Sequence, residues 1–110
     1  MRFVLAIIMS TFALSSFAGS YIGSLETKIN AVISYSEFGD GDVIFTIENP
    51  IPECSHGYWL KKVDPGFQAN LSMVIAAYQA KNPVVIYGIP EEIWPGSSGK
   101  ACHLYNIKYK

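Results

Sequence analysis

"IPECSHGYWLKK", residues 51–62, holds one of only two cysteines in a chain of 110 residues, and the other stands in "KACHLYNIKYK", residues 100–110. Each has a histidine close by: Cys54 lies two positions before His56, and Cys102 directly precedes His103. A disulfide, a metal site and a thiol beside its base are the three chemistries to weigh. Zinc needs three or four converging ligands. Cys54, His56, Cys102 and His103 supply four by count, but neighbouring side chains on a strand point to opposite faces, so Cys102 and His103 would share an ion only through a distorted turn. A nucleophilic thiol would have to stay unpaired, which an oxidising compartment works against. The simplest reading is a Cys54–Cys102 disulfide. It would close a loop of roughly 49 residues and add about 4 kcal/mol in the chain-entropy picture.

That reading presupposes export, and the N-terminus supports it. "MRFVLAIIMSTFALSSFAGS" places Arg2 before an apolar run from Phe3 to Met9, with small residues at Ser16 and Ala18. This is the pattern of a secretory signal peptide, with an apolar core too short to span a membrane. The expected division is residues 1–18 as signal and 19–110 as one small domain, secreted or periplasmic. Arg2 is the only arginine, so the remaining chain sets seven lysines against nine Asp and Glu, a formal net charge of −2. Only Lys61 and Lys62 are adjacent, and a nucleic-acid ligand would call for a basic stripe. Nucleic acid is therefore not an expected partner.

Along residues 24–36, "SLETKINAVISYS", Leu25, Ile29, Ala31, Ile33 and Tyr35 alternate with polar residues, Val32 being the exception; the period predicts a half-buried strand. "EFGDGD" reads as a hairpin turn, and "VIFTIEN" as a second strand with Val43, Phe45 and Ile47 inward. Pro50 and Pro52 interrupt it, and residues 57–63, "GYWLKKV", predict a third strand. Phe67, Leu71, Val74, Ile75 and Tyr78 then form one helical stripe, capped by Asp64 or Asn70 and ended at Asn82-Pro83. "VVIYGIP", 84–90, and "CHLYNIKYK", 102–110, predict the last two strands, joined by a Pro/Gly/Ser-rich loop.

Three strands, a helix and two strands is the order of the OB-fold, a mainly β five-stranded Greek-key barrel. In that barrel the third and fifth strands run parallel side by side, and Cys54 and Cys102 each stand just before one of them. A plain α+β sheet of the same order is the alternative.

The helix-to-strand passage "NLSMVIAAYQAKNPVVIYG", residues 70–88, with Trp94 soon after and Cys102 opening the last strand, resembles the small exported bacterial OB-fold proteins related to the B subunits of subtilase cytotoxin and typhoid toxin. The resemblance implies the barrel, a pentamer and glycan binding. The chain departs from those subunits in having fewer cysteines and a shorter C-terminal region, and their glycan-pocket residues have no residue-by-residue match here.

Residues that could carry chemistry are few. Glu91 and Glu92 are adjacent in a loop, a poor arrangement for facing one cleft. "GSSGK", 96–100, lacks the spacing and following helix of a phosphate loop. The sequon "NLS" at 70–72 falls on the helix and reads as incidental. No Ser-His-Asp order appears, so the sequence speaks against an enzyme, and no cofactor is expected. Aromatics are more informative. Trp59, Trp94 and seven tyrosines exceed what so small a core can bury, and exposed rings suit sugars or protein partners. Trp94 is the leading contact candidate, followed by Trp59 and His56. The expected function is a non-catalytic exported module binding a glycan or a partner protein. The alternative is a structural or interaction protein of the envelope without sugar affinity, and a third, minor reading is an enzyme or metalloprotein built on Cys54, His56 and Cys102.

Overall fold

The computed structural model describes residues 20–110; the expected signal peptide lies outside the described residues, as does its boundary. Seven elements follow one another: β1 (Ile22–Gly23), β2 (Ile29–Ser34), β3 (Val43–Ile47), β4 (Tyr58–Leu60), α1 (Phe67–Ala80), β5 (Val84–Ile93) and β6 (Cys102–Tyr109). The six strands form one sheet in the order β1-β5-β6-β4-β3-β2.

This corrects the expectation of a closed five-stranded OB barrel. The end strands β1 and β2 are not paired with each other, so the ladder stays open. The cause lies in residues 24–28, which read as the start of one continuous strand. Here the chain leaves regular pairing, and Thr27 makes only an isolated bridge to Val84. Its backbone exchanges hydrogen bonds with Val84, while its buried Oγ1 accepts the Asn49 N–H at 3.0 Å. The predicted strand thus begins only at Ile29: β2 pairs with β3, while β1 lies ahead of the predicted stretch and pairs with β5 at the opposite end of the sheet.

A register shift between Ile29 and Ala31 changes the faces as well. An extra residue in one strand of a pair reverses the alternation beyond it. Ile29 is buried as expected, but beyond the shift Val32 packs on the core while Ile33 is exposed. The apparent exception in the pattern is the residue that points inward.

Elsewhere the pattern holds in part: β4 is shorter than the predicted third strand, and β5 runs on to Ile93, through Glu91 and Glu92, which read as loop. Val43, Phe45 and Ile47 face the main core with Tyr58 and Leu60. α1 lays Phe67, Val74 and Ala77 against that core, with Leu71 and Tyr78 partly covered and Ile75 exposed. Neither predicted cap is used: the residue before the helix is Gly66, without a side-chain cap bond, and Lys81 in left-handed conformation ends it. Strands β4 and β6 pair in parallel, Tyr58 with Cys102 and Trp59 with His103. Cys54 and Cys102 are joined by a disulfide, their Cα atoms 5.3 Å apart. Gly57, between the crosslink and β4, has φ +96°, and a Cβ there would fall 2.1 Å from the Phe45 carbonyl oxygen. Only glycine brings these backbones so close.

Tyr58 stacks on Phe45 with ring centroids 5.5 Å apart, and its hydroxyl is buried without a hydrogen-bond partner. Burial, with a smaller contribution from the Glu53 carboxylate, pushes the phenol from 10.0 up to about 12. The unfolded chain thus releases this proton at lower pH than the native one. The resulting stability is complete below pH 10 and is lost as pH rises towards about 12.

Two measurements check these features. In urea unfolding, reduction of the disulfide, or the Cys54→Ser/Cys102→Ser double variant, is expected to lower stability by about 2–5 kcal/mol. Tyr58→Phe removes an unsatisfied hydroxyl. It should be neutral to about 1 kcal/mol stabilising at pH 7, and its alkaline loss of stability should be shallower than that of the parent.

Candidate functional site

Strand alternation gives the β3–β4 pair two faces. Val43 opposite Leu60 and Phe45 opposite Tyr58 point to the main core; Ile44 opposite Trp59 points away. That second face acquires its own small core, in which Ile44 and Trp59 are covered by Trp94 and Ala101 from the β5–β6 connection. The connection is held at its base by the Trp94 N–H, which donates to the Ala101 carbonyl at 2.9 Å. Period two places Asp42 on this face beside Ile44, and Lys61 beside Trp59.

Asp42 is the unusual member. It is only 2% exposed, and its Oδ2 accepts the Trp94 indole N–H at 2.9 Å. Its Oδ1 is buried without any partner. Buried carboxylates ordinarily have their oxygens satisfied, so one left open points to a role other than packing. Above it, Gly39 adopts φ +60°, and a Cβ at that position would lie 2.1 Å from Asp42 Oδ2. The absence of a side chain is what allows the loop to close over the carboxylate.

A cavity of about 300 Å³ opens here, lined by Phe38, Gly39, Asp42, Trp59, Lys61 and Pro95. Its surroundings are aromatic. Phe38 stands edge-on to Trp94 at 5.2 Å between centroids, and Tyr35 lies 5.4 Å from the same indole. Phe38 is 44% exposed, so the cavity is reached from solvent along an apolar rim. The Trp59 indole is fixed by its N–H, which donates to the Glu92 carbonyl at 2.9 Å.

Trp59 is also 4.9 Å from the His103 ring, tilted by 32°. His103 Nδ1 lies 2.6 Å from Glu92 Oε1 and Nε2 lies 2.5 Å from Asp64 Oδ2. A neutral imidazole has a single N–H; both contacts are hydrogen bonds when both ring nitrogens carry protons. The side chain thus ties β6 to the end of β5 and to the loop before α1. Two carboxylates on opposite sides of one ring do not converge on a point, and among the described residues no group of three or more His, Cys, Asp or Glu could hold a metal ion.

The sequence candidates are therefore distributed as follows. Trp59 lines the cavity. Trp94 is 5% exposed and stands behind it, anchoring Asp42 and backing Phe38. His56 is elsewhere: its Nδ1 accepts the Lys100 N–H at 3.3 Å, its own N–H donates to the Lys100 carbonyl, and Gly99 abuts its ring. It holds the β5–β6 connection in place. Cys54 and Cys102 are spent on the disulfide. Asp42, Lys61 and Phe38 were not among the candidates. The only sequence signal for Asp42 is its even spacing from Ile44, since its indole partner lies 52 positions away.

No protein-family model matches the chain, and no curated protein matches it. Together with the open sheet, this removes the resemblance to toxin B subunits, and with it the glycan-binding, pentameric module it implied.

One prediction concerns the support beneath Trp59. Replacing His103 with Asn, which cannot bridge both carboxylates, should lower stability by about 1–3 kcal/mol, measured by urea unfolding at pH 6.

Proposed function

We propose that the protein is a small-ligand-binding domain whose site is the cavity over Asp42, and that it takes an organic amine. The observation that carries this reading is Asp42, a residue that lines an aromatic-rimmed cavity and keeps its buried Oδ1 without a partner. An ammonium group entering the cavity meets the carboxylate there and offers N–H donors to that oxygen, which the Gly39 loop covers in the free protein and uncovers for the ligand. Its apolar body meets Phe38 and Trp59, whose ring faces attract cations as well as hydrocarbon. Trp94 restrains the carboxylate and lies against Phe38, so ligand binding would not need to order these groups anew. The disulfide fits a working place in an oxidising, exported compartment.

Phenethylamine and 2-phenylethanol have similar size and differ in charge, which makes them suitable probes. Phenethylamine is expected to perturb the fluorescence of Trp59 and Trp94 at concentrations at least tenfold below those needed for the alcohol. Asp42→Asn keeps an acceptor for the Trp94 indole but removes the charge, and should abolish the amine's advantage at an unchanged melting temperature. Equal binding of amine and alcohol to the parent protein would refute the reading.

A further inference from the structure

Lys61 gives the cavity a second pole. It follows β4 directly, and continuing the register one step past the last ladder pair, Val43–Leu60, sets it opposite Asp42, which directly precedes β3. Side chains in such a relation have Cβ atoms about 5 Å apart on the same face. Both residues line the cavity. Even so, the two do not pair: Lys61 is in no ion pair with any described residue, and the one engaged oxygen of Asp42 is taken by Trp94. Two opposite charges thus stand next to each other on one wall, each with capacity left, facing apolar surface from Phe38, Trp59 and Pro95.

Resting on the proposed amine site, we infer that the cavity recognises a zwitterion of the α-amino-acid type with an apolar or aromatic side chain. Such a ligand carries its ammonium and carboxylate on one carbon, a spacing that suits charges borne by cross-strand neighbours. Its ammonium goes to Asp42, its carboxylate to Lys61, and its side chain to the aromatic rim. A simple amine would leave Lys61 as an unmatched like charge, and a simple carboxylate would meet Asp42 in the same way. The adjacent pair therefore selects against both singly charged analogues while accepting the neutral sum.

The experiment compares L-phenylalanine, phenethylamine and 3-phenylpropionate by tryptophan fluorescence excited at a wavelength the probes do not absorb. L-Phenylalanine is expected to bind at least tenfold more tightly than either analogue. Lys61→Met should weaken phenylalanine at least tenfold and strengthen phenethylamine, whereas Lys61→Arg keeps the preference for phenylalanine. Lys61 is exposed, and melting curves establish that both variants are folded. Phenethylamine equal to or tighter than phenylalanine would overturn the zwitterion inference and leave the amine site standing. Phenylpropionate equal to phenylalanine would remove Asp42 from recognition and overturn both. Absence of binding by all three probes would dispose of the cavity as a ligand site.

Discussion

Parallel contact between β4 and β6 is the constraint on which the remaining structure depends. These strands are separated by some forty residues that contain α1 and β5, and bringing them together carries a large loop-closure entropy. The Cys54–Cys102 bond removes most of that freedom from the unfolded chain, tying Cys102 to a residue four positions before Tyr58, its partner in the first ladder pair. Gly57 completes the approach by letting the backbone run against Phe45 and by accepting the Cys102 N–H. With this contact made, β5 is carried back along β6, α1 is laid over the main core, and the β5–β6 connection is delivered to the second face of β3 and β4.

The second face matters because a sheet this small has little apolar material to spare. Its main core takes one face of β3 and β4, and Ile44 and Trp59 would be left to water on the other. Trp94 and Ala101 cover them, but a connection of this length covers only part of the face. The uncovered remainder is the cavity. Site and second core are built from the same residues, so the ring that shields Ile44 also restrains the carboxylate. His103, held between Glu92 and Asp64, packs against Trp59 without lining the cavity and ties β6 to the loop before α1.

How much of this can be read from the residues differs from element to element. Signals that depend on local period are legible: the inward set on β3, the helix stripe apart from Ile75, and the extent of β6. The cysteine count together with the apolar N-terminal run points to the disulfide, and the parallel β4–β6 pairing follows from the strand order read as a barrel, although the sheet itself stays open. What failed depends on non-local hydrogen bonding. Alternation through residues 24–36 is broken only at Val32, yet Thr27 bonds to Val84 and Asn49, and a bulge follows it. No local pattern encodes that switch, and with it goes the number of strands and the closure of the sheet. Asp42 was hidden for the same reason. In "EFGDGD" it is one of two aspartates in a glycine-rich turn, where solvated carboxylates are the rule. Its burial comes from Trp94, far along the chain, and no window around either residue would show it.

A carboxylate with an unpartnered oxygen is destabilising in a buried place, and packing alone gives no reason to keep it. An asparagine could serve the Trp94 indole equally well, and an apolar residue could extend the Ile44–Trp59 cluster. The charge is also not neutralised internally, although a lysine stands across the strands from it. That combination, a buried acid held by one donor beside a cation in no ion pair with any described residue, is the form expected when both charges await a third party. It differs from the His103 cluster, where both ring nitrogens already face carboxylates and nothing is left to offer. Of the two polar groupings that flank Trp59, one is saturated and acts as support, and the other is incomplete. The proposed recognition belongs to the incomplete one.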